Sequence, residues 1–263
     1  MSLPGATHGA AADLPELVEV ATDAGPLLLL ADDGMMLPYL RGNGTWEPEE
    51  GGLLRRLVRP GSTFVDVGAN VGYFSRLIAV TCAPARVLAF EPHPLLVPVL
   101  RRNVAGLSPE VEVHPVALGD TRSTVTLRSA PANIGDTRVT PAEQPAAPGA
   151  PSATMTRFDD EVSGRVDVVK IDVQGFEADV LRGMSRTIAE NPQIVVVVEF
   201  WPGVLRERGQ DPGRVLEEYR AMGFEIGLLR AGSPMRTTDE EIFWFAGSAG
   251  PDGQANLVLR RPL

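Results

Sequence analysis

Short apolar runs alternate along this chain with segments whose apolar residues recur at helical spacing. The clearest example is residues 63–74, where a strand pattern leads through Gly68 and Gly72 into the first turn of a helix. Further strands are predicted at residues 86–91, 111–118, 124–127, 166–173, 194–199, 224–229, 242–245 and 257–259. Helices are predicted at residues 49–58, 94–104, 177–188 and 212–222.

This alternation predicts an α/β fold with a doubly wound, Rossmann-like and mostly parallel sheet of seven strands, ending in an antiparallel C-terminal hairpin. Residues 1–42 are expected to form a frayed tail and a small N-terminal β/α element, with strands at residues 17–21 and 26–30. Residues 43–263 are assigned to the main domain. Within it, the proline-rich residues 129–156 are interpreted as an insertion, either a plain loop or a lid.

The composition narrows the class of partner. A formal net charge of −10 disfavours nucleic acid and anionic membranes. Cys82 is the only cysteine, so neither an internal disulfide nor a cysteine metal cluster is expected. The N-terminal residues show no secretory pattern, and no apolar run reaches membrane length. We therefore expect a cytoplasmic protein that acts on a small molecule. The sequence does not decide whether the protein forms a homo-oligomer.

Acidic residues at two predicted strand ends are the strongest chemical signal. Asp66 ends the first strand beside the glycine loop, and Glu91 ends the second, where an acid can accept both hydroxyl protons of a ribose. The loop has the spacing Asp-x-Gly-x-x-x-Gly, which differs from the Gly-x-Gly-x-x-Gly that seats a pyrophosphate. This wider loop suits an ammonium and a carboxylate, the end groups of S-adenosylmethionine. A tight strand–helix turn without a ligand is the alternative.

Several motifs in the same order resemble the FkbM-type methyltransferases, over roughly residues 43–200. They are Trp-Glu-Pro-Glu at residues 46–49, Val-Asp-Val-Gly-Ala-Asn-Val-Gly at 65–72, Phe-Glu-Pro at 90–92, Ala-Leu-Gly-Asp at 117–120 and Lys-Ile-Asp-Val-Gln-Gly-Phe-Glu at 170–177. The resemblance implies the class I methyltransferase sheet and S-adenosylmethionine as cofactor. It also implies two departures of this chain, namely Gln174 where many members carry a glutamate, and the proline-rich segment at residues 141–151.

The resemblance further implies a set of cofactor-binding residues. Gly68, Asn70 and Gly72 would line the methionine end of the cofactor, with Asp66 close by. Glu91 would bind the ribose hydroxyls. The remaining members of the implied set are Ala69, Tyr73, Pro92, Ala117, Leu118 and Asp172, of which Ala117 and Leu118 would lie near the adenine.

Asp172, Glu199 and Lys170 are the candidate catalytic residues. Asp172 and Glu199 end two strands predicted to be adjacent, so both carboxylates are expected in one crevice. They could orient a substrate hydroxyl, accept its proton or hold a divalent cation, although no metal ligand is assigned. Alternatively, Asp172 touches only the cofactor and Glu199 caps a turn. Lys170 is expected to pair with a strand-end acid, and a desolvated lysine acting as base is the alternative.

Together these patterns predict an S-adenosylmethionine-dependent methyltransferase. The predicted reaction is O-methylation of a hydroxyl on a natural product, such as a macrolide, or on a sugar. Trp46, Phe200 and Trp201 could wall the substrate or pack in the core. Two alternatives stay open, namely a nicotinamide-dependent oxidoreductase on a related sheet, and a non-catalytic cofactor-binding module of a biosynthetic complex.

Overall fold

A computed structural model of the chain describes residues 15–130, 133–140, 149–248, 250 and 253–262. Its strands are β1 Leu17–Thr22, β2 Gly25–Leu30, β3 Thr63–Val67, β4 Arg86–Phe90, β5 Val111–His114, β6 Ala117–Gly119, β7 Ser123–Ala130, β8 Asn133–Thr140, β9 Ser152–Arg157, β10 Val168–Ile171, β11 Val195–Phe200, β12 Glu225–Arg230, β13 Ser233–Arg236 and β14 Ala255–Arg260. Its helices are α1 Met36–Asn43, α2 Pro48–Leu57, α3 Tyr73–Cys82, α4 Leu96–Val104, α5 Phe158–Glu161, α6 Glu177–Arg182, α7 Ser185–Glu190, α8 Pro202–Glu207, α9 Pro212–Ala221 and α10 Asp239–Ser248.

The main sheet has the strand order β13-β12-β14-β11-β10-β3-β4-β5. Strands β11, β10, β3, β4 and β5 run parallel to one another, whereas β14 lies antiparallel between β11 and β12. The predicted doubly wound, mostly parallel sheet with antiparallel C-terminal strands is confirmed. The short strand β13, which was not predicted, adds an eighth strand at the edge. Because the strand order reverses between β3 and β10, a crevice opens at their carboxyl ends.

The apolar runs of the sequence are explained by burial of the sheet on both faces. Along β3, Phe64 belongs to the core cluster that includes α2, α3 and α4, while Val65 and Val67 belong to the opposite cluster. Side chains alternate between the two faces of a strand, so both must be apolar when helices cover both. This core holds the strand ends, and the polar residues that follow them, in fixed positions.

The prediction of a strand at residues 242–245 is wrong, because these residues lie in α10. A capping box begins this helix, since Thr238 Oγ1 accepts from the Glu241 N–H and Glu241 Oε2 accepts from the Thr238 N–H. Ile242 and Ala246, four residues apart, are buried on one helical face. The Thr-x-x-Glu signal was present in the sequence and outweighs the short apolar run.

Three other predicted elements differ from the structure. The strand predicted at residues 111–118 divides into β5, in the main sheet, and β6, in a second sheet of order β6-β9-β7-β8. The helix predicted at residues 177–188 divides into α6 and α7 around residues 183–184. Helices α1, α5 and α8 were not predicted. Of the insertion at residues 129–156, the described part contributes β8 and β9 to the second sheet, and residues 131–132 and 141–148 lie outside the described residues.

The N-terminal hairpin of β1 and β2 is present as predicted, and it shares a core cluster with the main sheet. Asn103 of α4 is buried and connects the hairpin to the glycine loop. Its Oδ1 accepts from the Leu28 N–H at 2.7 Å, while its Nδ2 donates to the carbonyls of Leu28 and Val71 at 2.9 and 2.8 Å. One buried amide therefore positions the N-terminal element against the loop that follows β3.

The close approach of β3 and β10 predicts a difference between two glycine substitutions. Gly61 and Gly68 both have positive φ, but only at Gly68 would a Cβ overlap a neighbouring atom, the carbonyl oxygen of Asp172. We expect Gly61→Ala to cost about 1–2 kcal/mol of unfolding free energy through its backbone conformation alone. Gly68→Ala should lower the unfolding free energy by about 1–3 kcal/mol more, because the backbone of residue 68 or of Asp172 must shift to make room for the methyl group. Urea unfolding measures both, and equal losses would contradict the close approach.

Candidate functional site

The loop after β3 is bound to the end of β4. The backbone N–H groups of Gly68 and Ala69 both donate to the carbonyl oxygen of Phe90, at 2.9 Å each. Gly68 has φ +84°, and the backbone of Asp172 packs directly against its Cα. Only glycine combines this conformation with this contact. The loop is therefore held rigidly between the ends of β4 and β10.

Glu91 directly follows β4 and is 5% exposed. Its Oε2 accepts from the Asn70 N–H and its Oε1 accepts from the His93 N–H, both at 2.8 Å. Burial raises the pKa of Glu91 to about 7, although these two backbone hydrogen bonds lower it. Each carboxylate oxygen has a second lone pair, so Glu91 can accept two more hydrogen bonds from a ligand.

A cavity, which we name the glycine-loop cavity, opens beside Glu91 at the ends of β3, β4 and β10. Its walls include apolar residues such as Phe90, Val116 and Leu127. The residues predicted from sequence that line it are Gly68, Ala69, Asn70, Tyr73, Glu91, Pro92, Ala117, Leu118, Lys170 and Asp172. The structure thus brings most of the predicted cofactor-binding residues to one place.

Asp66 and Gly72, also predicted at the cofactor, do not line this cavity. Asp66 is fully buried within β3, where its Oδ2 accepts from Ser75 Oγ at 2.7 Å. A Cβ at Gly72 would overlap the side chain of Leu100, so this glycine allows α3 to pack against α4. Both residues therefore hold the glycine loop in place through contacts with α3 and α4.

Lys170, Asp172, Gln174 and Glu199 form a connected network at the ends of β10 and β11. These strands are adjacent and parallel, as predicted. Lys170 Nζ lies 2.9 Å from Asp172 Oδ2 and 4.8 Å from the ring centroid of Phe74. Gln174 Nε2 donates to Asp172 Oδ1 at 3.0 Å and to Glu199 Oε2 at 3.4 Å. The amide of Gln174 therefore connects the two carboxylates.

Lys170 is 1% exposed and is the positive centre of this network. Burial by itself would lower the pKa of Lys170, but the carboxylates of Asp172, Glu50, Asp66 and Glu47 outweigh it and raise the pKa well above its ordinary value. A lysine in this environment holds its proton. The predicted ion pair is present, and the direction of the shift disfavours Lys170 as a base.

A second cavity, which we name the Glu199 cavity, adjoins the first and has a volume of about 450 Å³. Both cavities are lined by Met36, Trp46, Asn70, Gly135, Asp172 and Gln174. The residues that line only the Glu199 cavity are Asp33, Met35, Tyr39, Glu47, Glu199, Trp201 and Gln254. The predicted wall residues Trp46 and Trp201 therefore face a cavity, whereas Phe200 is buried in the core.

Sequence reasoning missed the contribution of α1 and of Glu47 to the Glu199 cavity. Helix α1 is short and contains Pro38, which weakens its pattern. Its one sequence signal is Asp33, whose Oδ1 accepts from the backbone N–H groups of Met35 and Met36 at 2.9 and 2.6 Å. Glu47 lies within the Trp-Glu-Pro-Glu motif, but only the tertiary structure places it in the cavity wall.

Tyr73 also connects the glycine-loop cavity to the N-terminal residues. Its hydroxyl donates to Asp23 Oδ1 at 2.6 Å and accepts from the Trp46 N–H at 3.0 Å. Burial, followed by the hydrogen bond to Asp23, raises the pKa of Tyr73 to about 12. The phenol therefore acts as a neutral hydrogen-bonding group that fixes residues 45–46 beside both cavities.

The described residues contain neither a metal-ligand cluster nor a membrane-spanning helix. Over the described residues, no group of three or more His, Cys, Asp or Glu side chains is arranged to hold a metal ion. No helix in the same part of the chain is long and apolar enough to cross a membrane.

Comparison with known proteins identifies the family. The model of the methyltransferase FkbM domain matches residues 66–226, which is more than half of the chain. The chain belongs to this family. The resemblance expected from the sequence motifs is confirmed, and the cofactor of this chain is S-adenosylmethionine. Membership also decides against the nicotinamide-dependent oxidoreductase, which remained open at the sequence level.

Two curated proteins are similar in sequence. The AMB antimetabolite synthetase AmbE of Pseudomonas aeruginosa is 29% identical over 214 residues, which cover 64% of this chain and 10% of AmbE. The methyltransferase sdnD of Sordaria araneosa is 29% identical over 201 residues, which cover 64% of this chain and 75% of sdnD. The chain thus spans about a tenth of the first relative and three quarters of the second.

Two solved structures are similar to the structure of this chain. The methyltransferase FkbM of Methylobacillus flagellatus is 17% identical with a TM-score of 0.47, covering 76% of this chain and 43% of that chain. A TehB-like SAM-dependent methyltransferase of Corynebacterium glutamicum is 12% identical with a TM-score of 0.49, covering 86% of this chain and 94% of that chain.

The glycine-loop cavity fits this cofactor in its chemistry. Glu91 offers free lone pairs at the position of a ribose-binding acid. Apolar groups from Phe90, Val116 and Leu118 suit an adenine ring, and Gly68 leaves room for close approach to the backbone. The assignment of individual residues to parts of the cofactor stays a prediction.

The state of Glu91 predicts how cofactor binding depends on pH. Below about pH 7 Glu91 takes up a proton, and a protonated oxygen accepts fewer hydrogen bonds. The affinity for S-adenosylhomocysteine should therefore rise from about pH 6 to about pH 8 and level off above it. Glu91→Ala should weaken binding at least tenfold, since a hydrogen bond to a charged group contributes about 1.5–3 kcal/mol. Calorimetric titration measures both effects.

The matched control is Glu112→Ala on β5, where the removed carboxylate is half exposed and pairs with Arg86. This variant should retain the affinity and the pH dependence of the natural protein. Unchanged affinity in a folded Glu91→Ala variant would contradict the role of Glu91.

Proposed function

We propose that this chain transfers the methyl group of S-adenosylmethionine to a hydroxyl oxygen of a natural product or a sugar. The position of Asp172 supports this proposal most directly. Among the described residues, Asp172 is the one acid that lines both the glycine-loop cavity and the Glu199 cavity. The reacting oxygen must reach the boundary between donor and acceptor, so a carboxylate at that boundary can act on its proton.

When bound, the cofactor supplies a methyl group on a positively charged sulfur. The protein has to align the acceptor and deal with the proton of its hydroxyl. Lys170 and Gln174 each hold one oxygen of Asp172, at 2.9 and 3.0 Å, so the carboxylate has a fixed orientation. Each of those oxygens retains a lone pair. We assign Asp172 to orient the acceptor hydroxyl and accept its proton.

The walls of the Glu199 cavity support an acceptor with a ring. Tyr39, Trp46 and Trp201 all line it, and aromatic faces pack well against the apolar faces of sugar and macrolide rings. Tyr39 and Trp46 meet edge to face with ring centroids 5.2 Å apart, which makes a preformed corner. The relative AmbE is described as an antimetabolite synthetase, which agrees with a natural-product acceptor.

Replacement of the proposed base should separate chemistry from cofactor binding. In Asp172→Asn, we expect turnover to fall about 10²–10⁴-fold, the usual contribution of a positioned acid or base. The affinity for S-adenosylhomocysteine should change far less, because Glu91 and the glycine loop remain. Transfer of labelled methyl groups and calorimetry measure the two quantities. Asp160→Asn, which removes a surface carboxylate paired with Arg157, is the control.

The labelled product is then identified by mass spectrometry and NMR. A methyl ether supports the proposal, whereas a methylamine would contradict the choice of oxygen and leave methyl transfer intact. A folded protein that binds S-adenosylhomocysteine and never transfers label to hydroxyl compounds would favour the non-catalytic module.

The hydrogen-bond donors around Asp172 predict that turnover does not require a divalent cation. A cation bound to this carboxylate would lie close to the ammonium of Lys170, which already pairs with it and would repel a second positive charge. We therefore expect the same rate of methyl transfer after prolonged treatment with EDTA. A loss of activity that Mg²⁺ restores would contradict this arrangement.

A further inference from the structure

The Glu199 cavity is lined by more acidic than basic side chains. Four acids line it, namely Asp33, Glu47, Asp172 and Glu199, and its described lining includes no lysine or arginine. Of these, Asp172 is neutralised by Lys170, and Asp33 caps helix α1. Glu47 and Glu199 line this cavity and not the glycine-loop cavity, so neither faces the space assigned to the cofactor.

Glu199 is 7% exposed, and only one of its oxygens has a protein partner within the described part of the chain. Its Oε2 accepts from Gln174 Nε2 at 3.4 Å, a long hydrogen bond, and its Oε1 accepts none. Burial raises the pKa of Glu199 well above its ordinary value, and the carboxylates of Asp172, Glu177 and Glu47 raise it further. A cation at Oε1 would favour the ionised form.

Basic residues around this cavity contact other groups. Arg138 stacks over the ring of Trp201, with its guanidinium carbon 4.9 Å from the ring centroid, and it pairs with Glu207 at 3.5 Å. Lys170 lies against Asp172 and the ring of Phe74, on the side of the glycine-loop cavity. Arg208 pairs with Asp179 at 2.8 Å and stacks over Phe176. A ligand can supply the cation that would pair with Oε1 of Glu199.

The aromatic walls are a second, independent indication of a cationic ligand. Tyr39, Trp46 and Trp201 line the same cavity as Glu47 and Glu199. The faces of tryptophan and tyrosine rings attract ammonium groups, and they also pack against sugar rings. Aromatic faces combined with the free carboxylate oxygen of Glu199 favour an ammonium and disfavour a phosphate or a carboxylate.

We propose that the methyl acceptor is an amino sugar, whose ammonium group binds Glu199 and Glu47 while one of its hydroxyls faces Asp172. This inference rests on the proposed O-methyl transfer and adds the chemical class of the acceptor. The ammonium is a binding group, and the hydroxyl is the nucleophile. Acidic sugars are rejected because they would add a negative charge to the Glu199 cavity.

The test compares matched sugars on the full chain saturated with S-adenosylhomocysteine. Glucosamine, glucose, N-acetylglucosamine and glucuronate have the same ring and differ in charge. We expect glucosamine to bind at least about tenfold more tightly than the other three, as measured by ligand-observed NMR titration. Glucose or glucuronate binding as tightly as glucosamine would overturn the proposal, and so would absence of glucosamine binding at about 50 mM.

Two substitutions test whether the ammonium group of glucosamine binds at Glu199. Glu199→Gln keeps the shape of the side chain and removes its charge, so glucosamine should bind at least about tenfold more weakly while S-adenosylhomocysteine binds as before. Glu112→Gln, at the far edge of the sheet, should change neither. Equal glucosamine affinity in Glu199→Gln would overturn the assignment. Failure to bind S-adenosylhomocysteine would instead count against the proposed function, and methylation of neutral sugars alone would overturn only the inference about the amine.

Discussion

The carboxyl edge of this sheet depends on one buried positive charge, that of Lys170. Its Nζ pairs with Asp172 at 2.9 Å, and its charge also acts on Asp66, Glu47 and Glu50. Without it, these carboxylates would face one another in a region closed to water. Removing one partner of a buried ion pair typically costs about 3–5 kcal/mol, because the remaining charge is left uncompensated. The strand-end acids can therefore be grouped at one site only because this lysine lies beneath them.

Gln174 binds the second oxygen of Asp172, the one that Lys170 does not contact. Its backbone has φ +54°, an uncommon conformation for a residue with a side chain, and this conformation places its amide between Asp172 and Glu199. The amide donates to both carboxylates without adding a charge. Gln174 thus reduces the electrostatic repulsion between the two strand-end acids of this chain.

The division of the site into two cavities follows from how the N-terminal element packs. Asn103 holds the hairpin against the glycine loop, and the Tyr73 hydroxyl holds residues 45–46. These contacts bring helix α1 and Glu47 over the carboxyl edge of the sheet, where they close the Glu199 cavity. Strands of both sheets contribute most of the lining of the glycine-loop cavity, whereas the Glu199 cavity depends more on this added element.

The amino-acid sequence alone predicted the alternation of strands and helices, the buried parallel strands and the placement of Glu91, Asp172 and Glu199 at strand ends. These features depend on local periodicity and on the rule that parallel strands end at the same edge. The packing of distant segments was needed to establish that Asp66 and Gly72 do not line the glycine-loop cavity and that Glu47 lines the same cavity as Glu199. Those outcomes depend on contacts between residues far apart in the chain, such as Leu100 with Gly72, and no local pattern encodes them.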